Sequence, residues 1–125
     1  NSQINSFEKS VNFLTEESIV TGNIIAWHLS SNKQFANYIF DDENQEIDYD
    51  FDNSFLNEIA SLKKTFRFED GTIIEIEEIQ RDSPLMIFYP SGENSGGVID
   101  IYHTDYIQRI AIKNNGKVIN EVISY

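Results

Sequence analysis

Cysteine is absent from this chain. Neither a disulfide framework nor a thiolate metal site can form, and the redox compartment leaves no mark on the composition. Basic residues are scarce: nine Lys and Arg stand against 21 Asp and Glu, a formal net charge of −12. That balance works against nucleic-acid phosphate and anionic membrane surfaces, and it favours solubility. No apolar run reaches the ~18 residues that a membrane span needs, and no signal-peptide apolar region occurs. The first residue is Asn rather than Met, so the chain reads as processed or cut from something longer.

What is present suits a folded β-rich domain. Hydrophobic residues make up 40% of the 125 and aromatics 13%. The length fits one domain spanning 1–125, able to bury a modest core. Aromatic, Ile and Val residues are spread along the chain, which favours β-structure.

Residues 1–21 read as a helix. Ile4, Phe7, Val11 and Leu14 form one apolar stripe at spacings of three, four and three. Gly22 stands where a left-handed C-cap is expected. Phe13 and Val20 fall on the opposite side, a second apolar patch that a neighbouring molecule or a loop could cover. Residues 23–41 read as a β-hairpin turning at Ser30-Ser31-Asn32-Lys33. The acidic stretch 41–54 is expected to be a mobile loop with few anchors, holding one short edge strand around Ile47, Tyr49 and Phe51. Residues 55–64 suggest a short helix with Ser54 as N-cap and Lys63 and Lys64 at its C-terminal end. From Thr65 onward alternation is continuous, broken at Asp70-Gly71 and Asp82-Ser83-Pro84. Strands are expected at 85–89, 98–103, 106–113 and 117–124. The predicted class is α+β: an N-terminal helix (1–21) packed on an antiparallel two-sheet sandwich formed by 23–125.

Candidate chemistry is sparse. His28 and His103 alternate with apolar neighbours and have no second ligand at metal spacing. Ser91-Gly92 and Ser95-Gly96 lie in a turn, with no nucleophile elbow. Asp48, Asp50 and Asp52 alternate and are the candidates for a cation site. An EF-hand loop requires Gly at position six and Glu at position twelve, and counting from Asp48 those places hold Asn53 and Ile59. A solvated acidic loop is the stronger reading. Glu75, Glu77 and Glu78 fit the wet side of a strand. The Gly-rich segment 92–97 lacks the Gly-Lys-Ser/Thr ending of a phosphate loop. The residues imply no cofactor.

The most informative stretch is 88–101. An apolar strand ends at Pro90, a turn follows with Gly92, Gly96 and Gly97, and a strand with alternating polarity comes next. Asn115-Gly116 then marks a hairpin turn before the last strand. This pattern of Phe-x-Pro-x-Gly, Gly-Gly-x-Ile-x-Ile, a strand, Asn-Gly and a final strand resembles the C-terminal half of GspH-type minor pseudopilins of type II secretion. Residues 7–23 resemble the second half of the pilin helix running into the first strand. The resemblance covers the first and last forty residues or so, and 41–84 match nothing in it.

The resemblance implies a type IV pilin-like fold and a structural subunit of the periplasmic pseudopilus, which is not an enzyme. It implies a single-pass inner-membrane protein with this domain in the periplasm, anchored by a helix segment preceding Asn1. Partners would be other minor pseudopilins and the major pseudopilin, with no nucleic acid. The interface expected on this basis comprises Ile4, Phe7, Phe13, Glu16, Glu17 and Val20. Alternatives left open are a type IV pilus minor pilin, acting in adhesion or DNA uptake, and a small periplasmic binding β-domain.

Overall fold

A computed structural model describes residues 2–40, 43–78 and 83–125, with side chains from Ser6 onward. The predicted helix is α1, Ser2–Thr21. It stops where the sequence says it should: Gly22 takes φ +70°, and its N–H donates to the Ser18 carbonyl at 2.9 Å.

The buried face of α1 is wider than the apolar stripe. Phe7, Val11 and Leu14 are almost fully buried, and Ser6, Ser10 and Ser18 are buried with them. The small serines let the helix approach closely, and each hydroxyl is used. Ser10 Oγ donates to the Ser6 carbonyl (3.1 Å) and Gln34 Oε1 (2.5 Å). Ser18 Oγ donates to the Asn23 carbonyl (2.6 Å) and the Phe88 carbonyl (3.3 Å). The side chain of Ile4 lies outside the described residues.

Nine strands follow: β1 Ile24–Leu29, β2 Gln34–Ile39, β3 Asn44–Glu46, β4 Lys64–Arg67, β5 Ile73–Glu75, β6 Met86–Phe88, β7 Gly97–Tyr102, β8 Tyr106–Ile112 and β9 Val118–Ser124. They form two antiparallel sheets, ordered β3-β2-β1-β6 and β5-β4-β7-β8-β9. The helix packs on β1 and β6 of the first sheet and on β9 of the second. One core joins all three layers. Ile25, Trp27, Met86 and Phe88 come from the first sheet, Phe66, Ile99, Ile101 and Ile110 from the second. Phe7 reaches in from the helix, edge-on to Trp27 at 6.1 Å.

The stretch between β2 and β4 departs from expectation. The edge strand lies at Asn44–Glu46, and 47–51 is not strand. There the backbone bonds locally: Tyr49 N–H to the Ile47 carbonyl (3.0 Å) and Phe51 N–H to the Tyr49 carbonyl (3.1 Å). These are i to i+2 bonds, the γ-turn pattern. They keep 47, 49 and 51 alternating without any ladder. Nor is this segment poorly anchored, since Ile47 and Phe51 are buried in the core. The short helix α2, Ser54–Glu58, ends six residues earlier than expected, because Lys64 begins β4. Ser54 is not its cap; Asn53 precedes it, and Ser54 bonds to Asp52 instead. Lys64 still serves the end of α2 from its strand. Its ammonium, 1% exposed, donates to the carbonyls of Ile59 (2.9 Å), Ala60 (3.3 Å) and Leu62 (2.7 Å). Burial pushes its pKa down, and the three carbonyls compensate for the lost water.

Gly97 sits at the start of β7, in the second sheet's inner face. A Cβ built there would stand 2.1 Å from Phe66 Cζ. The strand passes directly over a buried aromatic ring and has no room for a methyl group. Gly97→Ala should therefore destabilise the protein by about 3 kcal/mol through overpacking. Combining it with Phe66→Leu should cost less than the sum of the two single changes, measured by urea denaturation. Additive losses would show that the ring is not the obstacle.

Gln34 is 4% exposed and joins α1, β1 and the segment before α2. Its Oε1 accepts from Ser10 Oγ and from Trp27 Nε1 (3.3 Å), and its Nε2 donates to the Asp52 carbonyl (3.1 Å). Gln34→Leu strands these groups in the interior and should cost about 3 kcal/mol. Trp27→Phe should lose less in the Gln34→Leu background than in the wild type, because the indole N–H is already unpaired there.

Candidate functional site

The sequence pointed to two places: the outward face of α1 and the turns around 90–97 and 116. Their geometry is different in kind.

On α1 the proposed interface residues divide. Phe7 is a core residue, 1% exposed and edge-on to both Trp27 and Phe55, so it is unavailable to a neighbour. Phe13 is covered from within. Its ring stacks on Tyr49 with centroids 3.7 Å apart and planes 7° from parallel, and Phe51 meets it edge-on. The second apolar patch of the helix is thus partly closed by the chain's own 43–53 segment. Glu17 is engaged too: its carboxylate accepts a hydrogen bond from the Tyr38 hydroxyl on β2. That contact holds the Tyr38 pKa above its ordinary value, since the neighbouring carboxylate disfavours a phenolate. Glu16 and Val20 remain exposed, Val20 at 74%. Ile19 beside it was not singled out from the sequence and is 51% exposed.

The turns hold the fold together. Pro90 and Gly92 lie in a turn closed by Gly92 N–H to the Tyr89 carbonyl (2.9 Å). Asn94, 3% exposed, links this loop to the β8–β9 turn that contains Gly116. Its N–H donates to the Asn114 carbonyl (3.1 Å), and its side-chain amide donates to the Lys113 carbonyl (3.0 Å). Asn114 Nδ2 returns a bond to the Asn94 carbonyl (2.8 Å). The Asn94 Oδ1 also accepts from Gly96 N–H (2.7 Å). The two Gly-bearing turns, about twenty residues apart in sequence, are one hydrogen-bonded unit. Ser18 ties the helix end to it through the Phe88 carbonyl. Gly97 is not a turn residue; its place depends on close approach to Phe66.

The polar residues considered for chemistry have structural partners. Asp48 and Asp50 are exposed. Asp52 accepts from Ser54 N–H (3.1 Å), Ser54 Oγ (2.6 Å) and Ser6 Oγ (3.3 Å), with Lys9 at 3.9 Å. Among the described residues, no group of three or more His, Asp and Glu is placed to hold a metal ion. His103 stacks on Tyr106 and shares a hydrogen bond with Gln108 at 3.1 Å. His28 is buried in β1. On the outer face of the second sheet, Arg109 grips Asp100 with two bonds of 2.8 and 3.0 Å across paired strands. A recess of about 530 Å³ opens beside Ser31, Leu62, Lys64, Glu75 and Glu77, but the Lys64 ammonium that borders it is committed to carbonyls.

The bonds from Ser54 and Ser6 hold the Asp52 carboxyl below its ordinary pKa of 3.8. A lowered folded-state pKa contributes stability above the unfolded value and loses it as pH falls through the folded value. The side chain is 37% exposed, so the contribution is roughly 0.5 kcal/mol. Asp52→Asn should flatten the acid limb of stability below about pH 4 and leave the slope near neutrality unchanged. Parallel urea midpoints from pH 2 to 5 for the two proteins would contradict this.

No protein-family model matches the sequence, and no curated protein matches it as a relative. Solved structures do resemble the fold. One is the minor pseudopilin EpsH from the type 2 secretion system of Vibrio cholerae, at TM-score 0.64 and 18% identity over 97% of this chain and 92% of that one. A second structure of the same minor pseudopilin gives TM-score 0.67 and 18% identity over 98% and 92%. The chain has the fold of these minor pseudopilins, one N-terminal helix packed across two antiparallel sheets.

Proposed function

We propose that this protein is a minor pseudopilin, a structural subunit of the periplasmic pseudopilus that drives export of folded proteins by type II secretion. The supporting observation is fold likeness along nearly the whole chain, 97–98%, to a minor pseudopilin of that system. The hydrogen-bonded turn unit and the helix clasp, which carry the sequence motif, agree with it. On this reading α1 is the periplasmic half of a pilin helix, the protein is held in the inner membrane, and residues 1–125 form one periplasmic domain.

The mechanism is packing rather than covalent chemistry. The groups that could act chemically are spent on structure: Lys64 on carbonyls, Asp52 on Ser54 and Ser6, Arg109 on Asp100. The exposed side of α1, with Glu16 and Val20, and the neighbouring loops would meet other minor pseudopilins and the major pseudopilin. A net charge of −12 favours this over a DNA-uptake pilin, since phosphate binding would have to overcome repulsion.

Deleting the gene in its own host should strand exported proteins in the periplasm, measured as enzyme activity in the medium against the periplasmic fraction. Twitching and DNA uptake should persist. Normal secretion with lost transformation would replace this reading with a type IV pilus minor pilin.

A further inference from the structure

Nine large hydrophobic side chains stand exposed among the described residues, and six share one pole: Ile19, Val20, Ile24, Ile39, Phe40 and Tyr89. The topology puts them there. Ile19 and Val20 lie in the last turn of α1, and only Gly22 and Asn23 separate that helix from β1. Ile24 opens β1 and pairs with Ile39, which closes β2. Phe40 comes next, its ring 5.7 Å from Tyr38. Tyr89 follows β6, which ends at the same place because Phe88 pairs with Ile25. Ile19 reaches the 89–92 turn, with its Cδ1 3.4 Å from where a Cβ on Gly92 would stand. Single exposed apolar residues are ordinary on a protein surface, whereas a concentration at one end marks an interaction surface.

The charge around this pole is of one sign. Segments 16–24, 38–43 and 88–93 contain no Lys or Arg. Glu16 and Glu17 lie on the last turns of α1, Glu43 closes the loop after β2 by accepting from Phe40 N–H (3.1 Å), and Glu93 accepts from Tyr89 N–H (2.9 Å) through its carbonyl. Lys113 and Lys117 sit on the β8–β9 turn, whose Gly116 faces the helix at Val11. That is about 12 Å back along the axis from Ile19 at 1.5 Å per residue. A second copy would set like carboxylates against each other, and anionic lipid or nucleic acid would meet the same repulsion.

We propose that this pole docks a different protein, through an apolar surface of that partner rimmed by Lys or Arg. The apolar residues supply the buried area, and the acidic rim selects the partner and excludes self-association. This goes beyond the assembly reading and does not require it.

The test places p-benzoylphenylalanine at Val20 in the full-length protein in its own cells, with Ile73 on β5, 60% exposed, as the control position. Irradiation should give one dominant adduct from Val20 and none from Ile73, with mass spectrometry placing the crosslink on an apolar patch next to Lys or Arg. The purified partner should bind the Glu16→Lys, Glu93→Lys variant at least tenfold more weakly, at unchanged melting temperature. Changing the partner's basic rim to Glu should restore binding. Should the charge change lower the melting temperature, Glu43→Lys gives the same readout from another element. An adduct with a second copy or with lipid, no adduct, equal labelling from Ile73, or affinity indifferent to the charge changes would each overturn the proposal. A partner outside any secretion filament would leave the pole proposal standing and count against the pseudopilin reading.

Discussion

The structure turns on how α1 is held, and one buried amide holds it. Gln34 accepts from the helix through Ser10 and from β1 through Trp27, while its amide nitrogen donates to the segment before α2. Its own backbone N–H donates to Asn53 Oδ1 at 3.1 Å. A purely apolar contact would let the helix slide along its stripe, because hydrophobic burial has no direction. An amide with its oxygen and nitrogen both committed fixes one register. Phe7, Val11 and Leu14 then fall into the core by necessity, and Glu17 comes opposite Tyr38.

A second clasp works at the other end of the helix. The loop through Pro90 and Gly92 and the turn through Gly116 bond to each other by way of Asn94 and Asn114, and Ser18 joins the helix to the same unit. The first sheet, the second sheet and the helix therefore meet at one polar node. The node explains why the motif is a mark of fold rather than of chemistry. Its glycines and asparagines satisfy backbone groups that would otherwise be buried unpaired, and Gly97 clears space for Phe66. With the node and the Gln34 clamp occupied by structure, the surface left for partners is the outer side of α1 and the pole where it ends.

Much of this was legible in the sequence, and the reasons are local. Helix α1 and its stop at Gly22, the hairpin of β1 and β2, and strands β6 to β9 all follow from spacing and turn chemistry within a few residues. The class, a helix on two antiparallel sheets, follows from that order of elements. The segment 43–53 was misread for an equally local reason. Ile47, Tyr49 and Phe51 alternate as a strand would, yet their backbone closes i to i+2 turns. Alternation reports which side chains point the same way, and γ-turns produce it as well as a strand does. Phe13 was read as a patch for a neighbour because nothing in the sequence says that Tyr49 lies on it.

The sequence by itself determined the elements, the acidic balance and the absence of cysteine chemistry, since each depends only on residue type and short spacing. Tertiary structure alone decided which side chains are available. Phe7 and Val20 both look like helix-face apolar residues, and one is 1% exposed while the other is 74% exposed. Glu16 and Glu17 are neighbours in sequence, yet only Glu17 meets a hydroxyl from β2. Asn94 and Asn114 look like ordinary turn residues and prove to be each other's partners. Burial and pairing are properties of contacts between residues far apart in the chain, and a pattern read along the chain carries no distance between them.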